Sequence, residues 1–349
     1  MGKKVLMKGN EAIGEAAITA GCLHFFGYPI TPQSELPAYL SRRMPEVNGV
    51  FLQAESEVAA VNMVYGAATT GVRVMTSSSS PGVSLKQEGI SYIACAELPA
   101  VICNVQRAGP GLGTIQPGQA DYFQAVKGGG HGDYRLITFS PSSVQEIVDM
   151  VRLCFDLADK YQTPSMLLSD GMIGQLMEPV DFGDYKPTIS NKPWSLTGCE
   201  GRSKNTVTSI YIQPEEMEQH NVRLQKKYAV IQENEQRWEE FRFDDDTEYL
   251  VVAHGSLSRI AKSAVIKANE EGIKCGISRP ITLWPFPEKA FANLKNLKGI
   301  LVAEMSAGQM IEDVKLCVNG RVPVSFFGRM GGMVPSVEQI LAKIRELKK

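Results

Sequence analysis

Apolar residues alternate between helical and strand-like spacing along the first half of the chain. Helical spacing after Asn10 predicts a helix with an Asn10 N-cap that closes at Gly27. Thr31 and Pro32 have the form of an N-cap followed by a first helical proline, so a second helix is predicted to begin there. Residues 99–106 are almost wholly apolar, which is typical of a strand buried on both faces of a parallel sheet.

The alternation continues beyond these elements. The further predictions are strands at residues 49–53, 73–76, 135–139 and 165–169, helices at residues 56–70 and 142–161, and a helix opened by the loop at residues 77–82. Strands that alternate with helices indicate a doubly wound α/β domain with a parallel sheet. This domain is predicted to span residues 1–185.

The pattern changes between residues 186 and 246. Alternation stops there, and residues 213–242 predict a polar, solvated helix within a linker that bridges two domains. A second, smaller α/β domain is predicted over residues 247–349. It begins with the strand 249–253 and a helix capped by Ser258. Its remaining elements are strands at residues 274–278, 299–303 and 322–327 and helices at residues 288–297, 310–317 and 335–347.

Composition narrows the classes of partner and cofactor. The chain has 36 Lys+Arg against 38 Asp+Glu, a net charge of −2, which argues against nucleic acid or an anionic membrane as the main partner. With no apolar run of about 18 residues and no secretory h-region, a cytoplasmic location is expected. The seven cysteines lack Cys-x-x-Cys spacing, so neither a zinc site nor an iron–sulfur cluster is expected on this chain.

The glycine-rich segment at residues 109–113 follows a predicted strand, as a dinucleotide-binding loop would. However, Pro117 and Gly118 come soon afterwards, and no helix is predicted to start at Gly113. A mobile loop on the substrate side is favoured over a plain surface loop. The sequence also lacks a nucleophile elbow, a Walker motif and a His-Glu-x-x-His zinc motif.

Three polar residues follow predicted strands at the edge where open parallel sheets bind ligands. Thr31 would lie at a helix N-terminus, where backbone N–H groups favour an anion. Arg107 ends an apolar strand and could hold a carboxylate with two hydrogen bonds. Glu57 opens an apolar helix whose Ala and Val residues would disfavour the charged carboxylate. Each residue also has an ordinary structural explanation as a cap, a surface charge or a first-turn acid.

Five segments together resemble one protein family. They are residues 27–35 (GYPITPQSE), 54–60 (AESEVAA), 104–107 (NVQR), 252–256 (VAHGS) and 278–287 (SRPITLWPFP). They resemble the alpha subunits of 2-oxoacid:ferredoxin oxidoreductases over nearly the whole chain, apart from the region near residues 191–244. Residues 106–134 are most similar to the branched-chain subgroup, which acts on 3-methyl-2-oxobutanoate.

The resemblance implies a thiamine diphosphate enzyme. In this family a 2-oxoacid loses CO2, the acyl group passes to coenzyme A and two electrons pass to ferredoxin. The first domain would bind the aminopyrimidine, and the second would be transketolase-C-terminal-like. Glu57 matches the glutamate that hydrogen-bonds the aminopyrimidine, with Glu55 as a neighbouring alternative. Thr31 and Arg107 match residues that hold the carboxylate and keto group of the 2-oxoacid, and the backbone at Pro29 matches the segment against the pyrimidine.

The same resemblance implies that part of the active site lies on other chains. Thiamine enzymes bind the diphosphate and its metal through Gly-Asp-Gly with a downstream Asn, whereas this chain has only SDG at residues 169–171. A beta-type thiamine diphosphate subunit is therefore expected to bring the diphosphate site and Mg²⁺. A small ferredoxin-like subunit is expected to bring iron–sulfur clusters that pass electrons to ferredoxin.

Three alternatives remain at this point. The same kind of complex could act on 2-oxoglutarate, pyruvate or an aryl-pyruvate, because one methylene in a pocket changes binding by only about 1–3 kcal/mol. The chain could instead be a non-catalytic scaffold that docks partner subunits. A nicotinamide-dependent dehydrogenase is disfavoured because the dinucleotide fingerprint is absent from the sequence.

Overall fold

The computed structural model describes residues 4–189 and 191–348. Residues 1–3, 190 and 349 of the predicted domain ranges lie outside the described residues. The first part of the chain contains, in order, β1 (Val5–Lys8), α1 (Gly9–Thr19), β2 (His24–Gly27), α2 (Glu35–Glu46), β3 (Val50–Gln53), α3 (Glu57–Thr69), β4 (Val74–Ser78), α4 (Pro81–Cys95), β5 (Val101–Gln106), α5 (Tyr122–Val126), β6 (Ile137–Phe139), α6 (Val144–Tyr161), β7 (Ser165–Asp170), α7 (Gly171–Gln175) and β8 (Met177–Val180).

The second part of the chain has a similar mixture of elements. It contains, in order, α8 (Pro214–Asn234), β9 (Trp238–Phe241), β10 (Tyr249–Val252), α9 (Gly255–Glu270), β11 (Cys275–Pro280), β12 (Thr282–Trp284), a 3-10 turn (Glu288–Phe291), β13 (Gly299–Glu304), α10 (Met310–Val318), β14 (Val324–Gly328) and α11 (Val337–Leu347).

The first sheet has seven strands in the order β12-β6-β7-β5-β4-β2-β3. All neighbouring pairs are parallel except β12 with β6. Its central strand β5 has the sequence VICNVQ and is buried at every position, because helices cover both faces of a doubly wound sheet. Helix α1 packs against α2 and α6, while α3 packs against α4. The predicted α/β class with a parallel sheet is confirmed.

The second sheet has five strands in the order β14-β13-β10-β11-β9, and only β9 runs antiparallel to its neighbour. Strand β9 comes from the segment predicted as a bridge, and it forms one edge of this sheet. Strand β12 comes from the range predicted as the second domain, yet it pairs with β6 in the first sheet. One strand from the predicted second domain thus belongs to the first sheet, and the domain limits at residues 185 and 246 stay a prediction.

Helix α8 is polar as predicted, but it ends at Asn234, and the last part of the predicted range 213–242 forms strand β9 instead. One face of the helix is also buried. His220, Leu224, Tyr228 and Ile231 recur at helical spacing on that face. Tyr228 packs edge-on against Trp284 at 5.6 Å between ring centroids, which ties the helix to strand β12. In the part of the chain that the structure describes, no helix has the length and apolar character required to span a bilayer.

The N-terminal helix is shorter than the sequence pattern predicts. The predicted Asn10 N-cap and the extension to Gly27 are wrong, because Asn10 lies inside α1 and the helix ends before Gly21. Gly21 has φ +77°, a conformation that glycine tolerates and that commonly ends helices. The chain then continues into β2, which the apolar periodicity did not distinguish from more helix.

Three other element boundaries differ from the predictions. Helix α2 begins at Glu35, so Thr31 is not its N-cap. The intervening turn is held by the buried side chain of Gln33, whose Oε1 accepts a hydrogen bond from Ser77 Oγ at 2.6 Å. Ser258 lies inside α9 and does not cap it, and residues 288–297 contain a 3-10 turn in place of the predicted helix.

Candidate active site

The predicted site residues follow strands at one edge of the first sheet. Because β2, β3, β4, β5 and β7 are parallel neighbours, the loops after them meet at their carboxyl ends. Pro29 and Thr31 follow β2, Glu57 follows β3 and Arg107 follows β5. The loop after β4 contacts both Glu57 and Arg107, so it lies at the centre of this arrangement.

Glu57 is the first residue of α3, and Ser56 caps that helix by accepting the Ala59 N–H at 3.1 Å. The Glu57 side chain is 6% exposed, whereas the neighbouring Glu55 is exposed. Gly82 allows the Glu57 carboxylate to lie against the start of α4. A Cβ atom at Gly82 would come within 2.6 Å of Glu57 Oε1. Burial thus favours Glu57 over Glu55 as the functional acid.

Two buried hydroxyls without protein partners precede α4, and one of them lies beside this carboxylate. The hydroxyls of Ser78 and Ser79 are buried and form no hydrogen bond among the described residues. A Cβ at Gly82 would also come within 2.2 Å of Ser78 Oγ, which puts that hydroxyl beside Glu57. A buried carboxylate with unpaired hydroxyls nearby fits a polar heterocycle such as an aminopyrimidine, which offers both donors and acceptors.

Lys86 is a fully buried lysine near Glu57 that sequence reasoning missed. Its Nζ donates to Thr76 Oγ1 at 2.8 Å. Burial lowers the pKa of Lys86 to about 8, and the charge of Glu57 opposes part of that shift. Its position within the helical run of α4 gave no signal that distinguished it from a surface lysine.

Arg107 is 9% exposed and only partly bonded. Its Nη1 donates to the backbone oxygen of Thr31 at 3.0 Å, which joins the loops after β5 and β2. Its Nε is buried and has no hydrogen-bond partner among the described residues. Thr31 and Pro29 are exposed, and Thr31 is not at a helix N-terminus because α2 begins four residues later. An arginine donor left unpaired at a ligand-binding edge is suited to a carboxylate.

Behind Arg107, Ser80, Asn104 and Asp121 form a set of hydrogen bonds that we call the Ser80 network. Ser80 Oγ accepts the Arg107 N–H at 3.0 Å and donates to Asp121 Oδ2 at 2.6 Å. Asn104 donates to Asp121 Oδ2 at 2.8 Å and accepts the Ser80 N–H at 3.1 Å. Burial raises the pKa of Asp121, and the bonds from Ser80 and Asn104 oppose part of that rise.

The Ser80 network was missed by sequence reasoning. The sequence predicts the run of serines before α4 only as a loop, although its place after a strand is a signal that could have identified it. Asp121 lies in the long loop before α5, where no periodicity predicts that it faces the site.

A cavity of about 620 Å³ lies between the two sheets, beside Arg107. Ser80, Arg107 and Asp121 line it from the first sheet, and Met305 and Met330 line it from the second. Among the described residues that line this cavity, Arg107 is the only cation and Asp121 is the only carboxylate. The remaining lining is mostly small or apolar, so the cavity can take one anionic group together with an apolar chain.

Gln119 connects the cavity loop to the second sheet. Its backbone and side chain exchange two hydrogen bonds with the backbone of Met305, at 2.9 and 3.0 Å, and its Nε2 donates to His254 O at 2.9 Å. Burial and, to a smaller extent, the charge of Arg279 lower the pKa of His254 to about 3, so the imidazole is neutral. Its Nδ1 lies 2.9 Å from Ser140 Oγ. His254 therefore serves to join the two sheets.

The SDG segment is already occupied by protein contacts. Asp170 Oδ1 accepts the N–H groups of Met172 and Ile173 at 2.9 and 3.2 Å, and Oδ2 accepts the Ser256 hydroxyl at 2.5 Å. Burial raises the pKa of Asp170. Among the residues that the structure describes, no cluster of three His, Cys, Asp or Glu side chains could hold a metal ion. The donor set of this chain thus fits the pyrimidine part of the cofactor, and does not fit a metal–diphosphate.

Two family models match the chain. Residues 15–240 match the model described as pyruvate flavodoxin/ferredoxin oxidoreductase, thiamine diP-binding, and residues 247–340 match pyruvate:ferredoxin oxidoreductase core domain II. The first match alone covers more than half of the chain. The family that the sequence segments resemble is therefore confirmed.

Individual relatives agree with the family models. Ketoisovalerate oxidoreductase subunit VorB of Methanothermobacter marburgensis is 51% identical over 347 residues, which cover 98% of this chain and 97% of the relative. The 2-oxoglutarate synthase subunit KorA of Archaeoglobus fulgidus is 35% identical over 336 residues, covering 93% of this chain and 95% of the relative.

A solved structure also matches the whole fold. It is the 2-oxoglutarate:ferredoxin oxidoreductase from Magnetococcus marinus with 2-oxoglutarate, coenzyme A and succinyl-CoA bound. It has a TM-score of 0.90 and 26% identity, and the match covers 100% of this chain and 66% of that chain. This chain belongs to the 2-oxoacid:ferredoxin oxidoreductase family, as a subunit of a thiamine diphosphate-dependent enzyme.

Proposed function

We propose that this subunit contributes the pyrimidine and substrate halves of an active site that oxidatively decarboxylates a branched-chain 2-oxoacid to an acyl-CoA, with electrons passing to ferredoxin. The observation that carries the proposal is the pairing of two features at one sheet edge. Glu57 is buried there beside the unpaired hydroxyl of Ser78, and Arg107, which lines an apolar cavity, has an unpaired Nε.

Glu57 is proposed as the catalytic acid–base residue. When bound, thiamine diphosphate supplies the carbanion chemistry that releases CO2 from a 2-oxoacid. The Glu57 carboxylate would hydrogen-bond a ring nitrogen of the aminopyrimidine and hold a proton there, which suits a buried carboxyl shielded from water. The hydroxyls of Ser78 and Ser79 would bind the same ring, and the backbone at Pro29 would lie against it.

Arg107 and Thr31 are proposed to bind the substrate. The free Nε and the guanidinium edge of Arg107 would hold the 2-oxoacid carboxylate with two charge-assisted hydrogen bonds. The Thr31 hydroxyl, on the loop to which Arg107 Nη1 is bonded, would donate to the carboxylate or keto oxygen. This orientation keeps the bond to be cleaved towards the cofactor ring beside Glu57.

The branched-chain substrate is supported by the cavity and by the 51% identical relative named for ketoisovalerate. An aliphatic side chain would lie against Met305 and Met330 without requiring a second charged partner. 2-Oxoglutarate is the second candidate substrate, because relatives named for it also match this chain. Pyruvate stays a further alternative, named only in the descriptions of the two family models.

Partner subunits are part of the proposal. Both oxygens of Asp170 are bonded within this chain, which supports a beta-type subunit that provides the diphosphate site and Mg²⁺. A small ferredoxin-like subunit would carry the iron–sulfur clusters, and coenzyme A would accept the acyl group. The cytoplasmic location expected from the sequence stays a prediction.

The test is Glu57→Gln in the complex reconstituted with its partner subunits. Loss of the proton-holding carboxylate should lower kcat for 3-methyl-2-oxobutanoate by about 10²- to 10⁴-fold, measured as reduction of ferredoxin or a viologen dye. Glu55→Gln is the matched control, since Glu55 is exposed two residues away, and it should retain near-normal turnover. If Glu57→Gln keeps kcat within about twofold, the catalytic role is wrong and the scaffold alternative is favoured.

A further inference from the structure

The backbone of Arg107 is fixed more firmly than its guanidinium. Its N–H donates to Ser80 Oγ at 3.0 Å, and that hydroxyl donates onwards to Asp121. By contrast, the guanidinium has a single bond, to Thr31 O, and a buried unpaired Nε. The direction in which the guanidinium meets the cavity therefore depends on how the Ser80 network holds the end of β5.

Ser80 adopts a backbone conformation that is unfavourable for serine. Its φ is +27° and its ψ is −84°, at the N-cap of α4, although its side chain makes no capping bond to that helix. Strained residues persist where surrounding bonds over-determine them, and they occur often at functional sites. Glycine would relieve this strain. What serine adds is one hydroxyl, and that hydroxyl joins Arg107 to Asp121.

The network is also fixed from behind. Asn104 is buried within β5 and bonds both the Ser80 N–H and the Asp121 carboxylate. Gln106 Oε1 accepts the Asp121 N–H at 3.2 Å, so the loop that carries Asp121 is tied to the same strand. Ser80, Asp121 and Arg107 all line the cavity, so a shift in any of them changes its anion-binding end.

We propose that Ser80 and Asp121 are positioning residues that orient the guanidinium of Arg107 towards the 2-oxoacid carboxylate. The inference rests on the proposed function, because it requires Arg107 to bind that carboxylate. It predicts that the Ser80 network affects substrate binding far more than it affects the proton held by Glu57.

The decisive variant is Ser80→Gly in the reconstituted complex. Glycine accepts the positive φ, which offsets the loss of the hydrogen bonds of the hydroxyl, so the variant should fold and keep most of the wild-type stability. Loss of the hydroxyl should raise the KM for 3-methyl-2-oxobutanoate by about tenfold or more, while kcat and the KM for coenzyme A stay within about twofold. A purely structural role of the hydroxyl predicts a lower melting temperature, from the lost hydrogen bonds, and an unchanged KM.

Two further variants separate the possible outcomes. Gln162→Gly is the matched control, because Gln162 also has a positive φ, +47°, but lies at the end of α6 outside the cavity lining. Its KM should be unchanged. Asp121→Ala should raise the KM in the same direction as Ser80→Gly, since alanine can accept neither the Ser80 bond nor the Asn104 bond.

The inference is overturned if Ser80→Gly leaves the KM for the 2-oxoacid unchanged, or if it raises the KM for coenzyme A equally. The wild-type complex distinguishes this failure from failure of the proposed function. If the wild-type complex turns over a 2-oxoacid but the variants leave the KM unchanged, the proposed function holds and only the positioning role is refuted. Absence of any such turnover refutes both.

Discussion

At the scale of single residues, Gly82 controls how closely α4 approaches the buried acid. A Cβ there would meet Ser78 Oγ at 2.2 Å and Glu57 Oε1 at 2.6 Å, both well inside van der Waals contact. The φ of Gly82 is not positive, so its backbone does not require glycine. The constraint on this position comes from the neighbouring polar side chains.

We therefore expect Gly82→Ala to displace the Glu57 carboxylate and lower kcat of the reconstituted complex by at least tenfold. A 1 Å displacement of a catalytic group can cost about 10²-fold in rate. Gly66→Ala is the matched control, because Gly66 lies within α3 with no atom near its added Cβ. Alanine there should raise stability by about 0.5–1 kcal/mol and leave kcat unchanged. Equal activity of the two variants in a steady-state assay would contradict the proposed geometry.

Some of the proposed site residues could be predicted from the sequence, and others could not. Glu57 and Arg107 could be proposed because each directly follows a recognisable strand, and strand ends of a parallel sheet converge. Lys86 and Asp121 could not, because a buried lysine and a loop carboxylate have no local pattern that separates them from surface residues. Their roles depend on contacts with residues distant in sequence.

At the scale of elements, the start of α3 determines where the acid lies. Ser56 caps the helix at the residue before Glu57, so fraying of the first turn would move the carboxylate directly. Helix α6 has an equivalent cap, in which Ser143 accepts the Glu146 N–H at 3.2 Å away from the proposed acid.

Ser56→Ala and Ser143→Ala should each lower the free energy of unfolding by about 1 kcal/mol, because each removes an N-cap hydrogen bond. Only Ser56→Ala should also lower kcat, by several-fold, since only α3 carries Glu57. Chemical denaturation and steady-state rates on the same preparations measure both effects. A similar loss of kcat in Ser143→Ala would show that general destabilisation, and not the position of Glu57, limits activity.

The elements that sequence reasoning missed share a physical cause. Strand β2 follows the apolar helix α1 so closely that the helical spacing of apolar residues continues into the strand. The helix ends because of the backbone conformation at Gly21. Strand β12 is three residues long, and its pairing with β6 joins segments that are far apart in the chain. By contrast, β5 and α6 were recognisable because their burial is uniform or strictly amphipathic.

At the scale of the whole molecule, the proposed substrate cavity is lined by residues of both sheets and depends on how the sheets are docked. Gln119 holds the cavity loop to Met305, and Ser256 donates to Asp170 across the same junction. The second sheet thereby contributes Met305 and Met330 opposite Arg107. Selectivity for the substrate side chain is thus expected to depend on the second sheet, while carboxylate binding depends on the first.

Because the second sheet faces the substrate side chain, one cation introduced there is predicted to change which 2-oxoacid the enzyme prefers. In the described cavity lining, 2-oxoglutarate would find no cation besides Arg107 and would have its second carboxylate near Asp121. Met330 is 61% exposed, so Met330→Arg should fold and raise the kcat/KM ratio of 2-oxoglutarate to 3-methyl-2-oxobutanoate by at least tenfold. Met333→Arg is the matched control, because Met333 is 55% exposed but lies outside the cavity lining. If both variants shift the ratio equally, long-range charge and not the cavity determines selectivity; if neither does, the substrate side chain lies elsewhere.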